Sequence, residues 1–472
     1  MTTQANSLNL ENPMMLGGWE PVDKELVEKR LTITGIIPAD LKGSFFRNGP
    51  NPEFEPSDLE NYHFFDGDGM IHQIEILNGE ASYKNKWVET KCLKIERDAG
   101  KSLWKGFNSP PDFDNEHGVA MKHPANTNIV FHNGKLMALW EAGLPYEMTL
   151  PDLETVGEMD FDGKWPHAFT AHPKIDPENG DMVTFYYSIL AKPHLKYGVM
   201  DKNGKVVNST GIDLEKPVMI HDLAITKNYS VFAITPYEFS LERAMQGEYP
   251  FAWEPESGTK IGVIPRYADG AEIQWFDVDL GHIQHVFSAY EEGDEIVYHV
   301  CRSQRTSLVT GSIDDFDIDA EHALPYEYRL NLTTGGHTEE IVEDIAVEFS
   351  RINDDYTGAK YQYGYACRFR KQAKPEFDAL VKFDFEKGCS DTWELDDGWE
   401  VGEFVFAPRE NASEEDDGYC LGIVTSANGL ESKLLIIDAK DIEAGPLASI
   451  AMPVRVPNGF HANWVSYDSY KS

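Results

Sequence analysis

The chain has 472 residues, 41% hydrophobic and 12% aromatic, which is enough to bury a large core and too apolar for a disordered protein. Its 80 acidic and 41 basic residues give a formal charge of −39, a surface that repels nucleic-acid phosphates and anionic lipid and so excludes partners recruited by positive charge. No apolar run approaches the roughly 18 residues of a membrane span, so the reading is of no span, with peripheral membrane contact left open.

Residues 1–30 read as an N-terminal extension. "MTTQANSLNLENPMM" has no basic n-region and no apolar h-region, and so no signal peptide. From 31 to 472 no Pro/Ser/Gly-rich linker interrupts the chain, which predicts one domain. Its grammar is short strands broken by Gly, Asn and Asp turns. "NIVFHNGKLMALWE" (128–141) reads as strand, Asn-Gly turn, strand. "PENGDMVTFYYSI", "YEEGDEIVYHV" and "LVKFDFEKG" repeat the pattern, and 416–439 does so twice. The clearest helical segment is "EFSLERAMQ" (238–246), with Ser240 as its N-cap. Strand pairs recurring over such a length predict an all-β fold, a β-propeller, which closes its sheets in a ring and protects their edges. The five cysteines, Cys92, Cys301, Cys367, Cys389 and Cys420, are odd in number and contain no C-x-x-C pair, which fits a reducing compartment, the cytoplasm.

Of the fifteen histidines, His63, His72, His117, His123, His132, His194, His322 and His337 lie in polar or turn-like surroundings and read as solvated or singly hydrogen-bonded. Four others, His172, His221, His285 and His461, stand at the edges of apolar stretches, where strands enter a core. Each alone is better explained as a satisfied core histidine, and no local spacing ties them together. In a propeller, however, inner strands share an axis, and four imidazoles meeting there suit iron, zinc, copper or nickel. Neutral ligands leave the ion's charge uncompensated, which calls for carboxylates on the far ring nitrogens. Glu141, Glu348 and Glu403 sit in apolar runs and need partners of that kind.

Eight segments in order, "GSFFRNGPNP" (43–52), "HFFDGDGMIH" (63–72), "LWEAGLPYEM" (139–148), "TAHPKIDP" (170–177), "MIHDLAIT" (219–226), "HVFSAYE" (285–291), "EEDDGYCLGIV" (414–424) and "NGFHANW" (458–464), resemble the motifs of the carotenoid cleavage oxygenases, a family that includes apocarotenoid, stilbene and isoeugenol oxygenases. The resemblance implies a seven-bladed propeller capped by loops and short helices. It implies Fe(II) held by His172, His221, His285 and His461, with Glu141, Glu348 and Glu403 bracing His221, His285 and His461 respectively. It also implies that O2 is added across a C=C bond of a conjugated alkene, which breaks into two carbonyl products. No dinucleotide fingerprint argues for another cofactor. Where stilbene and isoeugenol cleavers of the family carry a tyrosine and a lysine for the substrate's phenol, this chain has Phe107 and Trp140, neither of which exchanges a phenolic proton. Phe65 matches an aromatic near the substrate. The departure favours a carotenoid or apocarotenoid, with an aryl-alkene (stilbene, isoeugenol or vinylphenol type) as the alternative.

Overall fold

The computed structural model describes residues 12–106, 109, 112, 114–246, 249–306, 317–370 and 376–470. Seven antiparallel sheets of four or five strands form the blades of a β-propeller, with a two-stranded ribbon, Tyr237–Phe239 and Phe251–Trp253, added over the fourth. Blades are numbered 1 to 7 in chain order. Their innermost strands are Ala462–Ser466, Asn128–His132, Lys174–Ile175, Leu223–Ile225, His282–Glu292, Val347–Arg351 and Trp399–Pro408.

The ring is closed by exchanging chain ends. Blade 1 takes its innermost strand from the C-terminus, where Ala462–Ser466 pairs with Gly43–Pro50, while blade 7 takes its outermost strand, Thr32–Gly35, from the N-terminal side. The segment before residue 31 is joined to the same blades. Val27 pairs with Lys84, the Trp19 and Phe64 rings stack at 4.7 Å, and the Asn458 amide donates to the Gly18 carbonyl. The chain therefore stays ordered close to its last residues, because those residues finish a sheet.

Local chemistry explains the pieces. At the tip of the blade 2 hairpin, Asn133 and Gly134 both have positive φ (49° and 72°), as a two-residue turn of primed type requires. Ser240 caps the helix Leu241–Met245 by accepting from the Arg243 amide. A helix that the strand grammar hides runs over Lys91–Ala99, capped by Thr90 at one end and by left-handed Gly100 at the other. The core is not one mass but a series of layers between blades, such as Leu41, Phe45, Ile74, Leu434 and Ile436 between the first and seventh. Of the histidines read as solvated or singly hydrogen-bonded, His63, His72, His123, His132 and His194 are buried, so for these the solvated alternative does not hold. Four of them keep a single ring hydrogen bond, with the Tyr83 hydroxyl (His72) and with the carbonyls of Leu144 (His123), Gly180 (His132) and Ser188 (His194). All five cysteines are free. Among the described residues no helix is long and apolar enough to cross a membrane.

Candidate metal centre

His172 and His221 lie two residues before the inner strands of blades 3 and 4, His285 lies within the inner strand of blade 5, and His461 immediately precedes that of blade 1. Inner strands run along the propeller axis, so four residues far apart in sequence reach one point. Their ligand atoms lie within 4.8 Å of one another. Neighbouring Nε2 atoms face each other at 3.0 Å (His172 and His221), 3.1 Å (His221 and His285) and 3.3 Å (His285 and His461). Converging imidazole lone pairs gain nothing from one another in a buried site; a cation between them turns the repulsion into four bonds. The donor set fits a transition metal, and is consistent with iron.

The far side of each ring supports this. His221 Nδ1 meets Glu141 at 3.4 Å, His285 Nδ1 is hydrogen-bonded to Glu348, and His461 Nδ1 meets Glu403 at 3.1 Å. Glu348 and Glu403 stand on the inner strands of blades 6 and 7, each next to the blade carrying its histidine. A carboxylate on Nδ1–H leaves Nε2 bare, the tautomer a metal needs. The carboxylates are themselves fixed: Glu348 accepts from the Phe349 amide at 2.8 Å and Glu403 from the Ala462 amide at 2.6 Å. His172 has no carboxylate partner among the described residues; its amide donates to Thr170 Oγ1 at 3.0 Å.

Burial and charge set the protonation states. Burial pushes His172 well below the ordinary imidazole value and His461 down to about 4. Burial also lowers His285, but the Glu348 carboxylate outweighs it and leaves that ring raised. Burial alone would raise Glu403; His461 and Arg351 overturn it and hold the carboxyl down at about 2, with Arg351 Nη1 3.8 Å from its oxygen. Arg47, buried close by, is lowered by burial to about 10, with Glu403 the largest influence in the opposite direction.

A cavity of about 170 Å³ opens onto His221, His285 and His461. Trp19, Phe64, Phe65 and Phe460 give it an apolar side, and His282, Gln284, Ser303 and Glu321 a polar one. Phe65 lines this cavity. Trp140 is not among the described lining residues; its ring packs against His123 at 4.9 Å. Phe107 lies outside the described residues. Sequence reasoning missed Arg47, His282 and Gln284. The first is hidden in a turn-rich motif, and the other two lie within three residues of a ligand and were passed over for it. Gly459, two residues before His461, has a packing reason to be glycine, since a Cβ there would lie 2.8 Å from both Arg47 Nε and the Asn48 carbonyl.

Residues 19–466 match the retinal pigment epithelial membrane protein family. Carotenoid 9,10(9',10')-cleavage dioxygenase 1 of Arabidopsis thaliana is 36% identical, across 95% of this chain and 89% of that protein. Isoeugenol monooxygenase of Pseudomonas nitroreducens is 32% identical, across 97% and 99%. Among solved structures, Pseudomonas brassicacearum lignostilbene dioxygenase superposes with a TM-score of 0.90 at 29% identity, covering 98% of this chain and 100% of that one. Cobalt-substituted Synechocystis ACO gives 0.84 at 25%, covering 95% and 98%.

Proposed function

We propose an activity for a chain that belongs to the retinal pigment epithelial membrane protein family, the carotenoid cleavage oxygenases: with Fe(II) on His172, His221, His285 and His461, it cleaves a C=C bond of a conjugated alkene with O2. The observation that carries the reading is the convergence of those four Nε2 atoms, with carboxylates behind three of the rings.

Iron bound there supplies the activation of O2. The chain's own groups do the rest. Glu141, Glu348 and Glu403 accept from Nδ1, which fixes the tautomer with Nε2 bare and holds the rings in orientation. The bare metal ion carries a double positive charge that four imidazoles leave untouched, and the three carboxylates offset it from behind. Trp19, Phe64, Phe65 and Phe460 lay the alkene against the site and keep water away from it, an ordering that raises the effective concentration of the reacting bond. The balance is complete without an external reductant: both bonds of the C=C break, and each carbon leaves as a carbonyl carrying one oxygen atom of O2.

A carotenoid or apocarotenoid is the first substrate reading, supported by the identity to the Arabidopsis enzyme. An aryl-alkene is the second, supported by the closeness to the lignostilbene dioxygenase and by the polar side of a small cavity. The test is mass spectrometry of products from iron-loaded protein given apocarotenals, stilbenes and propenylphenols under labelled oxygen. Two carbonyl products, each with one labelled atom, are expected; no cleavage of any alkene in the presence of bound iron would overturn the reading.

A further inference from the structure

A hydrogen-bond donor in the cavity that opens onto His221, His285 and His461 is left unused by the chemistry above. The inner strand of blade 5, His282–Glu292, pairs with Glu295–Ser303, and the register slips between Ile283, opposite Arg302, and Val286, opposite Val300. Three steps on one strand match two on the other, a β-bulge. In a regular strand Gln284 and His285 would point to opposite faces. With the bulge, both line the same cavity.

The carboxamide is held in a fixed orientation. Gln284 Oε1 lies 2.9 Å from His282 Nε2, and His282 Nδ1 lies 3.2 Å from Thr235 Oγ1. With Nε2–H donating to the carboxamide oxygen, Nδ1 accepts from the Thr235 hydroxyl. The Gln284 amide nitrogen then has no partner among the described residues, and its side chain is half-buried on the cavity wall. Ser303, Thr306 and Glu321 continue that polar wall, opposite in character to Phe64, Phe65 and Phe460. A hydrocarbon laid against an amide N–H strips its water and returns nothing, whereas an oxygen acceptor restores the bond.

We infer that Gln284 donates a hydrogen bond to an ether, hydroxyl or carbonyl oxygen of the bound alkene and so selects oxygenated over hydrocarbon substrates. The inference rests on the alkene-cleaving reading. Gln284 determines specificity; His282 and Thr235 position it.

The test uses iron-loaded protein and matched pairs: para-methoxystilbene against para-methylstilbene, and an apocarotenal against the hydrocarbon with methyl in place of its aldehyde. The quantity read is the ratio of kcat/KM within each pair. Gln284→Leu, of similar size but without the donor, is expected to lower the ratio by roughly 3- to 10-fold, the worth of one neutral hydrogen bond. The loss should fall mainly on KM, since the bond is present in ground and transition states alike. Thr235→Val should move the ratio the same way by less. Anaerobic binding followed by tryptophan fluorescence should show the same selectivity in Kd, independently of turnover. An unchanged ratio in a metal-retaining Gln284→Leu protein overturns the inference. Should that variant lose its metal, Gln284→Glu keeps the shape and replaces the donor by an acceptor, and an unchanged ratio for the ether pair overturns it equally. If the unaltered protein cleaves neither class, the activity reading fails, while the binding titration still decides the role of Gln284.

Discussion

The carboxylates behind the histidines are not equivalent, and replacing each by glutamine should rank them. Glu348 uses one oxygen, Oε2, for both His285 Nδ1 and the Phe349 amide. In Glu348→Gln the amide oxygen can serve both, so only the charge is lost. Charged hydrogen bonds are worth about 1.5–3 kcal/mol and neutral ones about 0.5–1.5 kcal/mol, a difference near 1.4 kcal/mol, or about tenfold in metal affinity. Glu403 spends its two oxygens separately, Oε1 on His461 Nδ1 and Oε2 on the Ala462 amide. Glu403→Gln must turn an NH2 group against one of these donors. The buried donor left unpaired costs a further ~1–3 kcal/mol, making the total loss roughly 100-fold or more. Glu141, at 3.4 Å and less buried, should matter least, with Glu141→Gln costing only a few-fold. Chelator competition against ferrous ion under anaerobic conditions, with iron per chain counted by mass spectrometry, reads all three affinities. Equal losses for Glu348→Gln and Glu403→Gln, or the reverse ranking, would refute the hydrogen-bond accounting.

His461→Ala should lose iron and activity together while the propeller remains folded, checked by iron content and circular dichroism; full activity would remove His461 from the ligand set. Burial lowers His72 to about 3 and His123 and His282 to about 4, from an ordinary 6.5. Between pH 6.5 and about 4 the unfolded chain therefore binds protons that the folded chain refuses, so stability is greatest above this window and falls as pH drops through it. The slope is up to about 1.4 kcal/mol per pH unit for each ring, so Tm should decline steadily from pH 7 to 5, and a flat profile would contradict the burial of these rings.

The ligand histidines were legible only together. They are separated by 49, 64 and 176 residues, so no local pattern links them, and each alone looks like core. Motif order supplied what spacing lacked, and the propeller axis explains why it works. The glutamates were legible for a plainer reason, since an acid in an apolar run has to be paid with a partner. Other features were hidden because they depend on contacts the local sequence does not encode. The bulge that brings Gln284 to the side of His285 is invisible to a period-two reading, which sends the two apart. Histidines in polar company, such as His72 and His132, end up buried because neighbouring blades cover them. The helix Lys91–Ala99 has an apolar side, with Cys92 and Leu93 buried, but it is only nine residues long and stands among strands; Thr90 and Gly100 at its ends are the signals that mark it.

The most direct measurement is an anomalous diffraction map at the iron edge from crystals of iron-loaded protein. One peak per chain, within bonding distance of Nε2 of His172, His221, His285 and His461, is the expected result. A map with no peak there, or with iron bound elsewhere on the chain, would contradict the account.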